Sequence, residues 1–327
     1  MERTLKKKIS LYLKACFFLL FINTVTSEES EDINFGIVIH GGAGSYENLS
    51  PKKEKAYKDG VNEALIKGYE ILKSGGTSVE AVTEAVSILE DFSLFNAGKG
   101  SVYTSKETQE MDASIMNGLN GMAGAVASVS TIKNPIRLAR AVMEKSPHVL
   151  LVGEGAENFA KQNNIKTVDP SYFHSEKNLQ RVRELKKDNK LGTVGAIALD
   201  KQGNLAAATS TGGRSNKMPG RVGDSPILGA GTWAENGLCA VSGTGHGEYF
   251  MRQLTAAEVC NKMKYLQMSL EDAANAVVER LSKTGAAGGI IALDSKGKIS
   301  TPFNTAGMVR GMYSREGGKT IKIYKED

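Results

Sequence analysis

This sequence predicts an α+β fold, with packed antiparallel sheets in the interior and helices on the outside. Strand-like apolar runs come first, helical patterns follow and strands return, an order that suits sheets covered by helices. Two segments echo one another as hairpin corners, Ile197-Ala198-Leu199-Asp200-Lys201-Gln202-Gly203 and Ile291-Ala292-Leu293-Asp294-Ser295-Lys296-Gly297. The 36 glycines gather at the ends of strand-like runs instead of in one linker, which points to tight turns and close backbone approach.

Each element has a local reason. Ile37-Val38-Ile39-His40 reads as a short buried strand ending in the turn Gly41-Gly42-Ala43-Gly44. Tyr57, Val61, Ala64, Leu65 and Leu72 recur at helical spacing over Lys52–Ser74, and Gly75-Gly76 ends that helix. Thr77 with Glu80 forms a capping-box signature for a helix to about Leu89. A strand pair over Met111–Met116 and Ala123–Ser130 follows, then helical patterns over Pro135–Glu144 and Glu154–Gln162. Residues Thr167 to Lys190 are rich in charge and poor in apolar periodicity, and read as a solvated helix or linker. Thr193–Leu199 and Leu205–Thr211 form a hairpin, and Gly229–Ala234 with Leu238–Ser242 form another strand pair. Two helices, Glu248–Met263 and Ser269–Lys283, precede a last hairpin of Gly289–Leu293 with Lys298–Thr301.

The chain has 327 residues, 41% hydrophobic and 24% charged, enough for two average domains or one large one with a substantial core. Its formal charge of +5 is mostly terminal: residues 1–27 hold five bases against one acid, leaving about +1 elsewhere. No basic surface for nucleic acid is implied. Those first residues have a basic start, an apolar run from Ala15 to Ile22 and small residues at Val25 and Ser27, which suits a secretory signal cut before Glu28. An uncleaved membrane anchor is the alternative, but the run is short for a span. A secreted or periplasmic protein is therefore expected, with no membrane association after signal removal. Cys239 and Cys260 read as two buried free thiols, and the four scattered histidines make no zinc motif.

The densest chemistry follows Gly192-Thr193-Val194-Gly195-Ala196. Within about fifty residues come Thr209-Ser210-Thr211-Gly212-Gly213, Gly220-Arg221-Val222-Gly223-Asp224-Ser225-Pro226 and Ser242-Gly243-Thr244-Gly245-His246-Gly247-Glu248. No G-x-S-x-G elbow and no phosphate-binding loop is present. A threonine can act as nucleophile when it begins a chain, because its own α-amine, with a pKa of about 7.7–8.0, can serve as base. That role for Thr193 requires cleavage of the Gly192–Thr193 bond. Taken singly, Thr211 and Thr244 read as strand threonines and Arg221 with Asp224 as a salt bridge; their shared order and spacing favour a site.

These segments resemble the plant-type L-asparaginase and isoaspartyl peptidase (β-aspartyl-peptidase) family of N-terminal-nucleophile hydrolases. The likeness extends to Ile39-His40-Gly41-Gly42-Ala43-Gly44, Leu94-Phe95-Asn96-Ala97-Gly98, Glu110-Met111-Asp112-Ala113-Ser114-Ile115-Met116 and Pro302-Phe303-Asn304-Thr305, nearly the whole mature chain. It implies a four-layer αββα sandwich made as a precursor that cuts itself. Residues 28–192 would become an α subunit and 193–327 a β subunit of one domain, paired as a heterotetramer of two of each. On that resemblance Thr193 is the nucleophile, Thr211 orients it, and Thr244 with the Gly245 N–H forms the oxyanion hole. Asn96 assists self-cleavage at Gly192. Arg221 clamps the substrate α-carboxylate, Asp224 receives the α-ammonium with carbonyl help near Gly247, and Val222, Gly223 and His246 complete the lining. No cofactor is required; a structural sodium held by backbone carbonyls at Leu89, Glu90, Ala97 and Lys99 is implied by resemblance alone. The expected substrates are L-asparagine and β-aspartyl dipeptides. Two alternatives stay open: a glycosylasparaginase, against which Gly192 and Gly213 speak while the export signal is mildly in its favour, and a secreted binder that has lost catalysis.

Overall fold

A computed structural model describes residues 34–47, 49–184 and 192–325. The expected signal or anchor lies outside the described residues, as does the end of the charged stretch before Gly192. In chain order the elements are β1 (Gly36–Gly44), α1 (Pro51–Lys73), α2 (Ser78–Asp91), β2 (Met111–Asn117), β3 (Ala123–Val129), α3 (Pro135–Lys145), β4 (Leu150–Val152), α4 (Gly153–Gln162) and α5 (Glu176–Arg183). Then follow β5 (Val194–Leu199), β6 (Leu205–Thr211), β7 (Thr232–Glu235), β8 (Cys239–Gly245), α6 (Gly247–Gln253), α7 (Thr255–Leu266), α8 (Leu270–Lys283), β9 (Gly288–Asp294), β10 (Ile299–Ser300), β11 (Gly307–Ser314) and β12 (Gly318–Lys322).

The strands form two sheets, ordered β12-β11-β1-β5-β6-β2-β3-β4 and β10-β9-β8-β7, with every pairing antiparallel except β3 with β4. Helices α1, α2 and α3 cover the large sheet, and α7 and α8 cover the small one. The α+β sandwich expected from the sequence is the observed architecture.

Strand alternation assigns each side chain to a layer. On β5, Val194, Ala196 and Ala198 face the helices, while Ile197 and Leu199 face the second sheet. On β6 the same split separates Ala206 and Ala208 from Leu205 and Ala207. The layer between the sheets is apolar at one end, around Ile197, Leu199, Leu205, Ala240, Ile291 and Leu293. By the same alternation its other end receives His40, Ser114, Thr193, Thr209, Thr211, Thr232, Ser242 and Thr244, all buried. A polar end to an otherwise apolar layer is where a site can be built.

The capping box at the start of α2 is complete, with Thr77 accepting from the Glu80 amide and Glu80 accepting from the Thr77 amide. Other expectations need correction. Strand β1 runs on through Gly41–Gly44 with a bulge between His40 and Ala43. At the bulge Gly42 has φ +108°, and a Cβ there would lie 2.9 Å from the Gly192 Cα. The helix expected over Glu248–Met263 is broken at Leu254, whose φ is +49°. Beyond the break the amides of Ala256 and Ala257 bond to Ala230 and Gly229 carbonyls instead of to the preceding turn. Part of the charged stretch is anchored, because Leu179 and Val182 of α5 are buried with Tyr103.

The cysteine expectation is overturned. Cys239 on β8 and Cys260 on α7 form a disulfide, their Cα atoms 5.7 Å apart. Both side chains project into the apolar layer between the small sheet and its helices, which brings them together across 21 positions of sequence.

Candidate active site

Register on neighbouring strands assembles the centre of the site. Gly195 of β5 pairs with Thr209 of β6, so Thr193, two residues earlier, stands beside Thr211. The Thr193 hydroxyl donates to Thr211 Oγ1 at 3.2 Å, and the Gly213 amide donates to the same oxygen at 2.9 Å. Thr193 is buried.

The Gly192 carbonyl is the acceptor in the site. Asn96 Nδ2 donates to it at 2.7 Å, and the Thr211 hydroxyl approaches it at 3.4 Å. Asn96 is itself fixed, since its Nδ2 also donates to Gly213 O at 2.7 Å and its Oδ1 accepts from the Val102 amide at 3.0 Å. Any nucleophile attacking the Gly192 carbon would find its developing oxyanion already facing a donor.

His40, on β1 opposite Gly195, holds Thr193 from the other side. Its Nδ1 donates to the Thr193 carbonyl oxygen at 3.0 Å and its Nε2 accepts from the Ser242 hydroxyl at 3.0 Å. A carbonyl only accepts, so Nδ1 carries the proton and Ser242 must donate. That polarity continues: Ser242 accepts from Thr209 at 2.7 Å, and Thr209 accepts from Thr232 at 2.6 Å. Burial drives the His40 pKa down to about 3, with the Thr193 carbonyl opposing the shift, so the ring is neutral at any working pH. Gly195 permits this packing, because a Cβ there would overlap both Ser242 Oγ and His40 Nε2.

One cavity joins Thr193, Thr211 and Gly245 to the charged groups Arg214, Arg221 and Asp224. Arg221 gives Nε and Nη2 to Glu248 Oε1 at 3.0 and 2.8 Å. Burial opposes the charge of Glu248. Its own backbone amide and the Arg221 and Arg214 guanidiniums more than offset that, and hold its pKa below the ordinary range. Asp224 is buried, and its pKa is pushed up to about 7 by desolvation despite its own backbone amide and Arg221. Its Oδ2 has no hydrogen-bond partner among the described residues. A buried carboxylate oxygen left without a donor fits an ammonium ligand. Gly247 keeps the space open: a Cβ there would lie 2.7 Å from Asp224 Oδ1 and 2.9 Å from Arg221 Nη2.

The remaining expected residues divide. Thr244 is buried and accepts the Ala43 amide at 3.3 Å, leaving its own hydroxyl proton for another acceptor. His246 is half-buried, and its Nδ1 accepts the Ala287 amide at 3.1 Å. Gly223 lies against Arg221, while Val222 is not among the residues lining the cavity. Sequence reasoning gave no catalytic role to Glu248, Arg214 or His40, though Glu248 closes the motif containing Thr244.

The glycine turn after α2 concentrates carbonyl oxygens. Gly98, with φ +49°, packs against Glu90 O, and a Cβ on Gly100 would meet Phe95 O and Ser93 O. Leu89 O accepts from Phe92 and Ala97 O from Gly100, while Lys99 Nζ sits 5.4 Å from the Tyr172 ring centroid. Carbonyl donors at this density suit a hard cation. Among the described residues no group of three or more His, Cys, Asp or Glu side chains could hold a metal.

The chain is similar to proteins of known family. Residues 33–323 match the family described as Asparaginase. The isoaspartyl peptidase of Escherichia coli strain K12 is 45% identical over 308 residues, covering 89% of this chain and 96% of that protein. A Salmonella typhimurium isoaspartyl peptidase is 46% identical over 308 residues, covering 89% and 98% respectively. The isoaspartyl peptidase/L-asparaginase of Xenopus laevis is 45% identical over 278 residues, covering 82% of this chain and 89% of its own.

Proposed function

Since the chain belongs to the asparaginase family, we propose that it cuts itself at Gly192–Thr193 and then hydrolyses the β-amide of L-asparagine and of β-aspartyl dipeptides. One observation carries the reading: the Gly192 carbonyl is held by Asn96 while the adjacent Thr193 hydroxyl is held by Thr211, in the cavity that also contains Arg221 and Asp224.

In self-cleavage the Thr193 Oγ attacks the Gly192 carbon, and Asn96 Nδ2 stabilises the oxyanion. The C–N bond breaks as the departing nitrogen takes the hydroxyl proton, giving a Gly192 ester and a free Thr193 amine, and water then hydrolyses the ester to the Gly192 carboxylate and the Thr193 hydroxyl. In turnover that amine takes the Thr193 hydroxyl proton, and Oγ attacks the substrate β-carbonyl. Thr244 and the Gly245 N–H receive the oxyanion, the leaving amine departs with a proton, and water hydrolyses the aspartyl ester to aspartate. Arg221 holds the α-carboxylate and Asp224 the α-ammonium, which makes free α-groups a requirement.

Subunits of residues 28–192 and 193–327, assembled two and two, belong to the same proposal, as does export through residues 1–27. The Cys239–Cys260 disulfide supports an oxidising compartment. The carbonyls around Gly98 and Gly100 support a structural sodium beside Leu89, Glu90, Ala97 and Lys99. The test is turnover by the purified protein on L-asparagine, a β-aspartyl dipeptide and aspartylglucosamine. The proposal expects activity on the first two; activity confined to aspartylglucosamine, or none at all, would overturn it.

A further inference from the structure

Arg214 is a charged residue of the cavity to which the reaction above gives no task. The chain leaves β6 at Thr211, turns at Gly213 with φ +79°, and delivers Arg214 to the cavity lip. Its Nη1 lies 3.5 Å from Glu248 Oε2, while Arg221 holds Oε1 of the same carboxylate. The two arginines thus share Glu248 but differ in depth: the Arg221 side chain is 17% exposed and that of Arg214 is 38% exposed. Besides Glu248, Arg214 faces the half-buried His246, whose pKa is lowered first by burial and further by this guanidinium.

The depth difference gives the cavity a direction. Buried Asp224 and inner Arg221 take the two α-groups of the aspartyl part, so the leaving group must point toward the exposed end, where Arg214 stands. Ammonia from asparagine has nothing to offer a guanidinium. The amino acid released from a β-aspartyl dipeptide does, because its carboxylate carbon lies two bonds from the scissile nitrogen. We propose that Arg214 forms a leaving-group subsite for that free C-terminal carboxylate, and so selects β-aspartyl dipeptides with an unblocked C-terminus. A guanidinium has five N–H donors in a planar fork, so the Glu248 contact and a carboxylate ligand are compatible.

The charges agree with this assignment. A β-aspartyl dipeptide brings one ammonium and two carboxylates, matched singly by Asp224, Arg221 and Arg214. This inference rests on the proposed β-aspartyl hydrolysis and names a determinant of its specificity.

The experiment measures kcat/KM on β-aspartyl-leucine, its C-terminal amide and L-asparagine, for the wild type, Arg214→Met and Arg214→Lys. The wild type should prefer the free acid over the amide by about fivefold, the upper range of one partly exposed charged contact. Arg214→Met should bring that ratio to about one, and Arg214→Lys should restore part of it, since lysine keeps the charge without the fork. Self-cleavage of each variant reports that it has folded. A wild type indifferent to the C-terminal charge, or a ratio unchanged in Arg214→Met, would overturn the subsite while leaving the hydrolytic reading intact. Failure of the wild type on all three compounds would overturn both.

Discussion

The side-chain amide of Asn96 donates to the carbonyl oxygen of Gly192 at 2.7 Å, so the bond preceding Thr193 is already polarised in the uncut chain. Removing one such donor from an oxyanion typically costs about 100-fold or more in rate. Asn96→Ala should therefore slow self-cleavage by about that factor, followed as conversion of purified precursor on a denaturing gel. Cleavage at the wild-type rate would remove Asn96 from the reaction.

Arg221→Ala should leave self-cleavage in place and raise KM on β-aspartyl substrates by about 100-fold, the scale of losing a partly buried charged partner. The Gly192 carbonyl has no contact with this guanidinium, which explains the split. Steady-state kinetics and a gel on the same preparation check it. A block to cleavage, or an unchanged KM, would contradict the clamp. Good turnover of α-aspartyl peptides by the wild type would contradict it as well.

His40 sets a pH dependence of stability, not of chemistry. Its pKa is about 3 in the fold against an ordinary value of 6.5, so between these values the unfolded chain binds a proton that the folded one refuses. Its contribution is complete above about pH 6.5 and is lost as pH falls toward 3. His40→Asn should flatten the acid side of a denaturation-midpoint profile. The acidic limb of kcat/KM should persist in this variant, since it belongs to the Thr193 amine and to Asp224, whose carboxyl is raised to about 7. Loss of the limb would make the imidazole the base.

The Cys239–Cys260 bond closes a loop of 21 positions, for which the chain-entropy account gives roughly 3 kcal/mol of stability. Cys239→Ala should lower the thermal midpoint to match that of reduced wild type, with addition of reductant having no further effect on the variant. A midpoint in wild type that ignores reductant would show the two thiols free.

Local signals made part of this molecule readable. Thr77 and Glu80 are three residues apart and cap one helix, and the turn Asp200–Asn204 joins two strands that pair directly with each other, so sequence sufficed. Strands β11 and β12 went unread because Gly307, Arg310 and Gly311 interrupt any alternation, and Gly311 is glycine to admit Leu65 and Val61 of α1. The disulfide depends on α7 lying over β8, a tertiary fact. Within the site, the threonines, Arg221 and Asp224 stood out by their glycine-rich spacing. His40, Arg214 and Glu248 acquire their contacts from register between strands and from a turn, neither of which a residue pattern records.

The central claim is that Thr193 is both the residue freed by self-cleavage and the nucleophile. Intact-mass spectrometry of purified wild type and Thr193→Ala, with β-aspartyl dipeptide turnover on the same samples, tests it most directly. The account predicts a wild-type fragment beginning at Thr193 together with activity, and a single uncut, inactive but folded chain for Thr193→Ala. Cleavage before residue 193 in the alanine variant, or full activity from wild-type protein that remains one chain, would contradict it.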